Sequence, residues 1–458
     1  MRYSPRHVAS ACAATGISTL ILVAGSAAGQ SGTASANELL KEPTVPLDSR
    51  VKPEKITESE IPPLPTQIVA PRPVTHQVAT DPAQVPIDRA HWDKAQEAIK
   101  RGLAFLKSRQ GESGAWMGEA RAQPTDQPDK PSPVAVAVTA LALKAIAQAE
   151  PKSVGDESIQ KAVAFVRKTQ TEDGSFEGGA LSNYVTSAVV SALSAIGRSD
   201  FDREITLATR WLTTSQWDQS EGIGPRQDWF GGSGYGNHGR PDLSNTQMML
   251  DSLYDSGMSP DEPAFQKAVA FISRAQNLQA TNKLPWTGND GGFVYTAANG
   301  GESFGSETAG EGRYGEKPAE GQPRSLRSYG SMTYAGFKSM LYAGLTPDDQ
   351  RVKACLEWIS SHWTFEENPG VGQQGLYYYY HTMGRALQVS EKTLIADAAG
   401  VNHNWREELI DAIVKRQTED GSWVNTADRW MEGEPVLVTT YALLALEEAL
   451  KPSAAAKE

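Results

Sequence analysis

Four short stretches of this chain carry residue types that could do chemistry. Asp228-Trp229-Phe230-Gly231-Gly232 and Asp242-Leu243-Ser244-Asn245 supply carboxylates beside rings, a hydroxyl and an amide. Arg327-Ser328-Tyr329-Gly330-Ser331 supplies a cation and hydroxyls, and Tyr377-Tyr378-Tyr379-Tyr380-His381 supplies ring faces and one imidazole. A carboxyl group and a histidine held together can act as proton donor and as its orienter or base. Asp242 or Asp228, with His381, is therefore the catalytic reading. Asn245, Arg327, Tyr329, Tyr377, Tyr378 and Trp229 are the candidate ligand contacts. Their rings would stabilise a cation or stack on a sugar or peptide. Each has a plainer alternative: Asp242 and Ser244 also suit a helix N-cap, worth about 1 kcal/mol and no function. Four successive tyrosines cannot face one way on a helix, so at most two reach a shared cavity. Tyr377 and His381, four apart, share a face.

These residues can meet only if helix starts converge. The apolar pattern predicts twelve helices, alternately amphipathic and nearly all apolar. The amphipathic set is Ala90–Gln110, Ser158–Gln170, Ile205–Gln216, Phe265–Gln276, Val352–His362 and Trp405–Gln417. The apolar set is Val134–Ile146, Val185–Ile196, Leu243–Leu253, Met332–Ala343, Leu376–Leu387 and Val436–Leu450. A helix apolar on all sides is expected to be buried on all sides. The fold class is thus all-α, with six hairpins in two concentric rings, an (α/α)6 toroid spanning 88–450. An open superhelix would need polar end helices, and the last one, with Val436, Val438, Tyr441 and Leu443, is not polar. The N-terminal ends of the inner helices, with free N–H groups and positive dipole ends, should then line a central cavity.

A recurring turn punctuates the helices. Gln417-Thr418-Glu419-Asp420-Gly421-Ser422-Trp423 and Gln170-Thr171-Glu172-Asp173-Gly174-Ser175-Phe176 are nearly identical, and Gln110–Trp116 is a looser copy. Degenerate copies pair Gln216 with Gly222-Ile223 and Gln276 with Asp290–Phe293. Asp-Gly gives a tight reversal. The aromatic can fold back on the preceding helix, and the Gln amide can satisfy exposed backbone groups.

These turns, the twelve alternating helices and the length resemble the α/α-toroid superfamily of squalene and hopene cyclases and protein prenyltransferase β subunits, over roughly 88–450. Related toroids include complement-like thioester domains and one class of pectate lyases. The resemblance implies the fold more than the chemistry. The cyclases protonate substrate with an Asp-x-Asp-Asp motif, which is missing here; Asp348-Asp349 reads as an ordinary helix start. Cys355-Leu356-Glu357-Trp358 is not the Cys-Gly-Glu-Gln thioester. His381-Thr382 resembles the histidine context of the prenyltransferase zinc site. However, Tyr329–Thr333 supplies neither the carboxylate nor the thiolate, so no metal and no cofactor are expected.

Two insertions, 218–241 and 278–328, break the rhythm. Long loops in helical repeats are usually functional or disordered; the second carries Glu302, Glu307, Arg313 and Arg324, and its middle, 300–322, reads as mobile. At the N-terminus, Arg2, Arg6 and His7 precede an apolar run to Ala28, the pattern of a signal peptide (1–28, cleavage as late as 36) with a retained anchor as rival. Once cleaved, no stable membrane span is expected. Residues 31–87 are Pro-rich and read as an extended tether or a segment packed along the domain; 451–458 reads as a tail. A net charge of −12 and the lack of a Lys/Arg run exclude a nucleic-acid role. With Cys12 in the leader, Cys355 has no disulfide partner. Three readings stand: an exported enzyme acting on a cavity-sized substrate such as an isoprenoid, a non-catalytic binder or scaffold in the envelope, and a polysaccharide lyase. The ligand would be a small molecule, peptide or glycan; the oligomeric state is not encoded in any motif.

Overall fold

Twelve α-helices form among the described residues, within three residues of the expected starts and ends. The structure, a computed structural model, describes residues 57–69, 75–117, 131–301 and 325–453. The expected leader, the first part of the Pro-rich stretch, the centre of the second insertion with Glu302, Glu307, Arg313 and Arg324, and the end of the tail lie outside the described residues. The outer helices are α1 (Arg89–Arg109), α3 (Glu157–Arg167), α5 (Asp202–Thr214), α7 (Pro263–Ala275), α9 (Gln350–Ser361) and α11 (Trp405–Val414). The inner helices are α2 (Pro133–Ala149), α4 (Ser182–Gly197), α6 (Leu243–Asp255), α8 (Gly330–Tyr342), α10 (Leu376–Val389) and α12 (Pro435–Ala449).

Burial follows composition. In α2 every residue from Ala135 to Gln148 is buried, whereas α3 buries only Ile159, Ala162, Val163, Phe165 and Val166. Each inner helix packs on the next, and α12 returns to α2, so the ring is closed. Helix α7 departs from its amphipathic pattern, being buried from Ala264 to Ala275. Its outer face is covered, since Arg274 Nε donates to Ser59 Oγ (3.0 Å) and Lys267 pairs with Asp218. Ser59 belongs to the Pro-rich stretch, whose described part lies along the toroid. Val69 N donates to Gly344 O (3.0 Å), and Ala79 N to Leu450 O (3.0 Å).

The turns tie the rings together. Gln417 Nε2 donates to Gly421 O within its own turn (2.9 Å) and to Ala98 O in α1 (3.0 Å), joining the last outer helix to the first. Gln110, Gln170, Gln216 and Gln276 make the same pair of bonds, reaching Ser158 O, Glu204 O, Ala264 O and Arg351 O in or beside α3, α5, α7 and α9. The amide thus serves a neighbouring helix rather than its own helix end. For Gln216 the turn glycine is Gly231, whose carbonyl it reaches at 2.8 Å, not Gly222-Ile223 as the spacing suggests. The intervening residues, including the short helix Gln219–Glu221, loop out of the turn.

Each turn is also pinned to its inner helix. Backbone N–H groups of Trp116, Phe176, Ser233, Phe293 and Trp423 donate to the hydroxyls of Thr139, Thr186, Thr246, Thr333 and Thr439 (3.0–3.1 Å). Trp423 is fully buried and its Nε1 donates to Ile413 O (2.8 Å). Gly421 stands at φ +88, and a Cβ there would lie 2.6 Å from Arg101 O, so the turn can dock on α1 only with glycine. Trp423→Ala is expected to cost about 3–5 kcal/mol of stability by urea denaturation, as for a buried aromatic. An unchanged midpoint would rule out this role.

Candidate functional site

All six inner helices deliver residues from their N-terminal halves to one cavity of about 360 Å3. Helix α2 supplies an aliphatic wall of Val134, Ala137, Val138 and Leu141, joined by Leu181 and Leu437. Most of the remaining lining is phenolic: Tyr184, Tyr235, Tyr295, Tyr329, Tyr378 and Tyr441. The loop before α12 completes it with Trp430, Met431 and Glu432. The phenols hydrogen-bond among themselves and to nearby polar groups. Tyr184 and Tyr441 hydroxyls are 3.0 Å apart. The Tyr378 hydroxyl lies 3.0 Å from Ser244 Oγ and accepts from Gln247 Nε2 (3.0 Å).

Of the expected site residues, Tyr329 and Tyr378 line the cavity. Asp242 lies just behind it as the N-cap of α6, at the end of the short hairpin of β1 (Ser233–Gly234) and β2 (Pro241–Asp242). Its Oδ1 accepts from Asn245 N and its Oδ2 from Asn245 Nδ2, both 2.8 Å, and the Tyr295 hydroxyl also bonds it. Asn245 is thus bound to the cap rather than presented to the cavity. Burial pushes the Asp242 carboxyl up to about 7, against those bonds and the charge of Arg240.

The proposed acid–base pairing is not assembled. His381 lies deeper in α10, its ring stacked on Tyr441 with centroids 5.6 Å apart, and no bond joins it to Asp242. Burial, aided by Lys338 and Lys144, lowers its pKa to about 3, so the imidazole is neutral. Asp228 belongs to a separate loop cluster with Trp217, Trp229 and Phe230. There its Oδ2 accepts from Asn299 N (3.0 Å), and burial pushes its carboxyl up to about 6. Trp229 donates to Asn299 Oδ1 (3.1 Å) in that cluster. Helical rotation turns Tyr377 away onto Tyr380, and the Tyr379 and Tyr380 hydroxyls bond Thr364 O and Phe365 O. Arg327 is half-buried beside Ser328 and is not part of the lining.

Glu432 was not legible as a site residue. Its Oε1 accepts from Tyr378 N (2.8 Å), and its Oε2 from Tyr377 N (3.3 Å) and Asn425 Nδ2 (2.7 Å), so it caps α10 from another loop. Its signal is an acidic residue in the irregular stretch between Trp423 and Pro435. Beyond the cavity, the C-terminal halves of the inner helices hold buried ion pairs. Asp255 bonds Lys144 and Arg385, each at 2.6 Å, and Asp251 bonds Lys338 and the Tyr342 hydroxyl. Lys451 bonds Glu448 (2.6 Å). Among the described residues, the group of three with metal-ligand spacing is Asp88, His91 and Glu407. It lies at the seam of α1 and α11, outside the cavity lining.

The family model of the squalene-hopene cyclase C-terminal domain matches residues 121–295. A type II terpene cyclase from Scytonema is similar to this chain at 12% identity and TM-score 0.47, covering 80% of this chain and 99% of that one. An α-1,6-mannanase from Salegentibacter shares 10% identity over 78% of this chain and 98% of its own, with TM-score 0.47. A protein from Actinoplanes shares 14% over 78% and 99%, with TM-score 0.45. No curated protein matches the sequence.

The shifted Asp242 predicts a pH dependence. Its carboxyl keeps its proton to about pH 7 when folded, against an ordinary value of 3.8. Between those values the folded chain binds more protons than the unfolded one, so this group's contribution to stability falls as pH rises. Asp242→Asn still caps the helix and should remove a slope of up to about 1.4 kcal/mol per pH unit. Denaturant midpoints at pH 4.5 and 7 check this; the same slope in both proteins would contradict the shift.

Proposed function

We propose that this cyclase-related toroid is an exported, ligand-binding domain whose cavity takes one small, uncharged, largely apolar molecule. An isoprenoid or aromatic skeleton bearing a hydroxyl or carbonyl fits this description. The observation that carries the reading is the mixed lining, aliphatic chiefly from α2 and phenolic from the starts of α4, α8, α10 and α12 and from the two insertions. An apolar body buries against the first while one polar group meets the second. The carboxylate on the lining, Glu432, is already engaged by backbone N–H groups and Asn425. The lining contains no Lys, Arg or His among the described residues, which speaks against a lyase acting on an anionic polysaccharide. A cavity of about 360 Å3 is near the small end of ligand sites and does not suit a polymer chain.

Turnover is the second reading, and one observation favours it. Asp242 holds its proton to about pH 7 and bonds Tyr295, a wall residue, so an acid stands one phenol away from the ligand space. The basic, then apolar, start of the sequence supports export, to the periplasm or beyond.

Titration calorimetry with farnesol, an uncharged isoprenoid alcohol, and with a neutral oligosaccharide tests the proposal. Farnesol should bind and the oligosaccharide should not. Ala137→Trp, which fills the cavity from α2, should weaken farnesol by roughly a hundredfold or more. Oligosaccharide binding, or farnesol affinity unaltered by Ala137→Trp, would overturn it.

A further inference from the structure

The geometry points to a hinged flap, residues 426–431, that gates the cavity; this rests on the cavity being the ligand site. Trp430 and Met431 are successive non-glycine residues in the left-handed region, with φ +58 and +66. Such conformations are held only where surrounding contacts enforce them, and they concentrate at clamps and switches. Both side chains line the cavity and yet are 46% and 42% exposed, so they stand in its mouth.

The flap has fixed ends and an exposed tip. At its base, Asn425 N donates to Glu432 O (2.9 Å), Asn425 Nδ2 to Glu432 Oε2 (2.7 Å) and to Gln373 O (2.7 Å). Glu432 is fastened in turn to the start of α10 through Tyr377 and Tyr378 N–H. At its tip the Arg429 guanidinium lies over the Trp430 ring (5.3 Å), and Glu434 N donates to Met431 O (2.9 Å). Arg429 Nη1 donates to Gln374 Oε1 (3.2 Å), and the Trp430 ring rests on Gly375. A Cβ on Gly375 would lie 3.0 Å from that ring, and Gly375 itself stands at φ +65, so the landing place is shaped for the indole. Swinging the tip breaks the Arg429–Gln374 latch and the Trp430–Gly375 contact, and relieves two strained residues, while the base stays pinned. Motion of this kind admits ligand and then covers it.

Two measurements test the gate. Arg429→Ala removes the latch, and stopped-flow mixing with farnesol should then show association and dissociation both faster by about tenfold, with Kd within about threefold. Unchanged rates, or a change in Kd through dissociation alone, would overturn the proposal. The second measurement needs no ligand. Nitroxide labels on Asp428→Cys and Gln373→Cys, both exposed, in a Cys12→Ser background report the distance across the mouth, and buried Cys355 stays unlabelled. Two distance populations, with the longer one growing when Arg429→Ala is added, are expected. A single narrow distance insensitive to Arg429→Ala would sink the flap. Two populations without farnesol binding would instead keep the flap and reject the ligand assignment.

Discussion

The bond from Gln417 to the carbonyl of Ala98 joins the two ends of the helical array, and the rest of the architecture depends on that closure. An open row of helical hairpins would leave apolar faces at both ends. Here α12 packs on both α1 and α2, so its apolar circumference meets protein all round. The glutamine amide is suited to the joint because it offers two donors, one for the turn and one for the neighbouring helix. The threonine hydroxyls on the inner helices complete the arrangement. Each accepts a turn N–H that would otherwise be buried without a partner, a loss of about 1–3 kcal/mol.

Closure creates a core with two chemically different ends. At the C-terminal ends of the inner helices, buried lysines and Arg385 face Asp251, Asp255 and Glu448. Such charges persist only when paired, and removing one partner typically costs about 3–5 kcal/mol. Asp255 is accordingly held well below the usual carboxylate range, burial opposing and Lys144 and Arg385 prevailing. At the N-terminal ends the pattern is reversed: tyrosines, aliphatic groups and a single carboxylate surround open space. One end of the ring is filled with ion pairs and the other encloses a cavity.

The absence of an acid–base pair follows from the same geometry. Asp242 and His381 both belong to inner helices, but Asp242 precedes α6 while His381 comes after the first turn of α10. Their difference in depth sends the imidazole toward Lys338 and Lys144, where it is kept neutral. Asp242 instead meets Tyr295 from the second insertion. The insertions therefore matter through tyrosines, Tyr235 and Tyr295, rather than through the charges that make them conspicuous in the sequence.

The sequence by itself determined the twelve helices, their assignment to an inner or outer ring, and the end of the ring at which a cavity forms. Those properties follow from local periodicity and from the helix dipole, which need no knowledge of partners. Of the ligand contacts expected from it, Tyr329 and Tyr378 lie on the cavity wall. Which neighbouring tyrosine faces inward was decided by helix rotation, which sets Tyr378 toward Ser244 and Tyr377 toward Tyr380. The pairing of Gln216 with Gly231, the capping of α10 by Glu432 and the bond between Tyr295 and Asp242 are contacts between segments distant in sequence or separated by irregular loops. No periodicity records such contacts, because the residues involved are brought together only once the ring has closed.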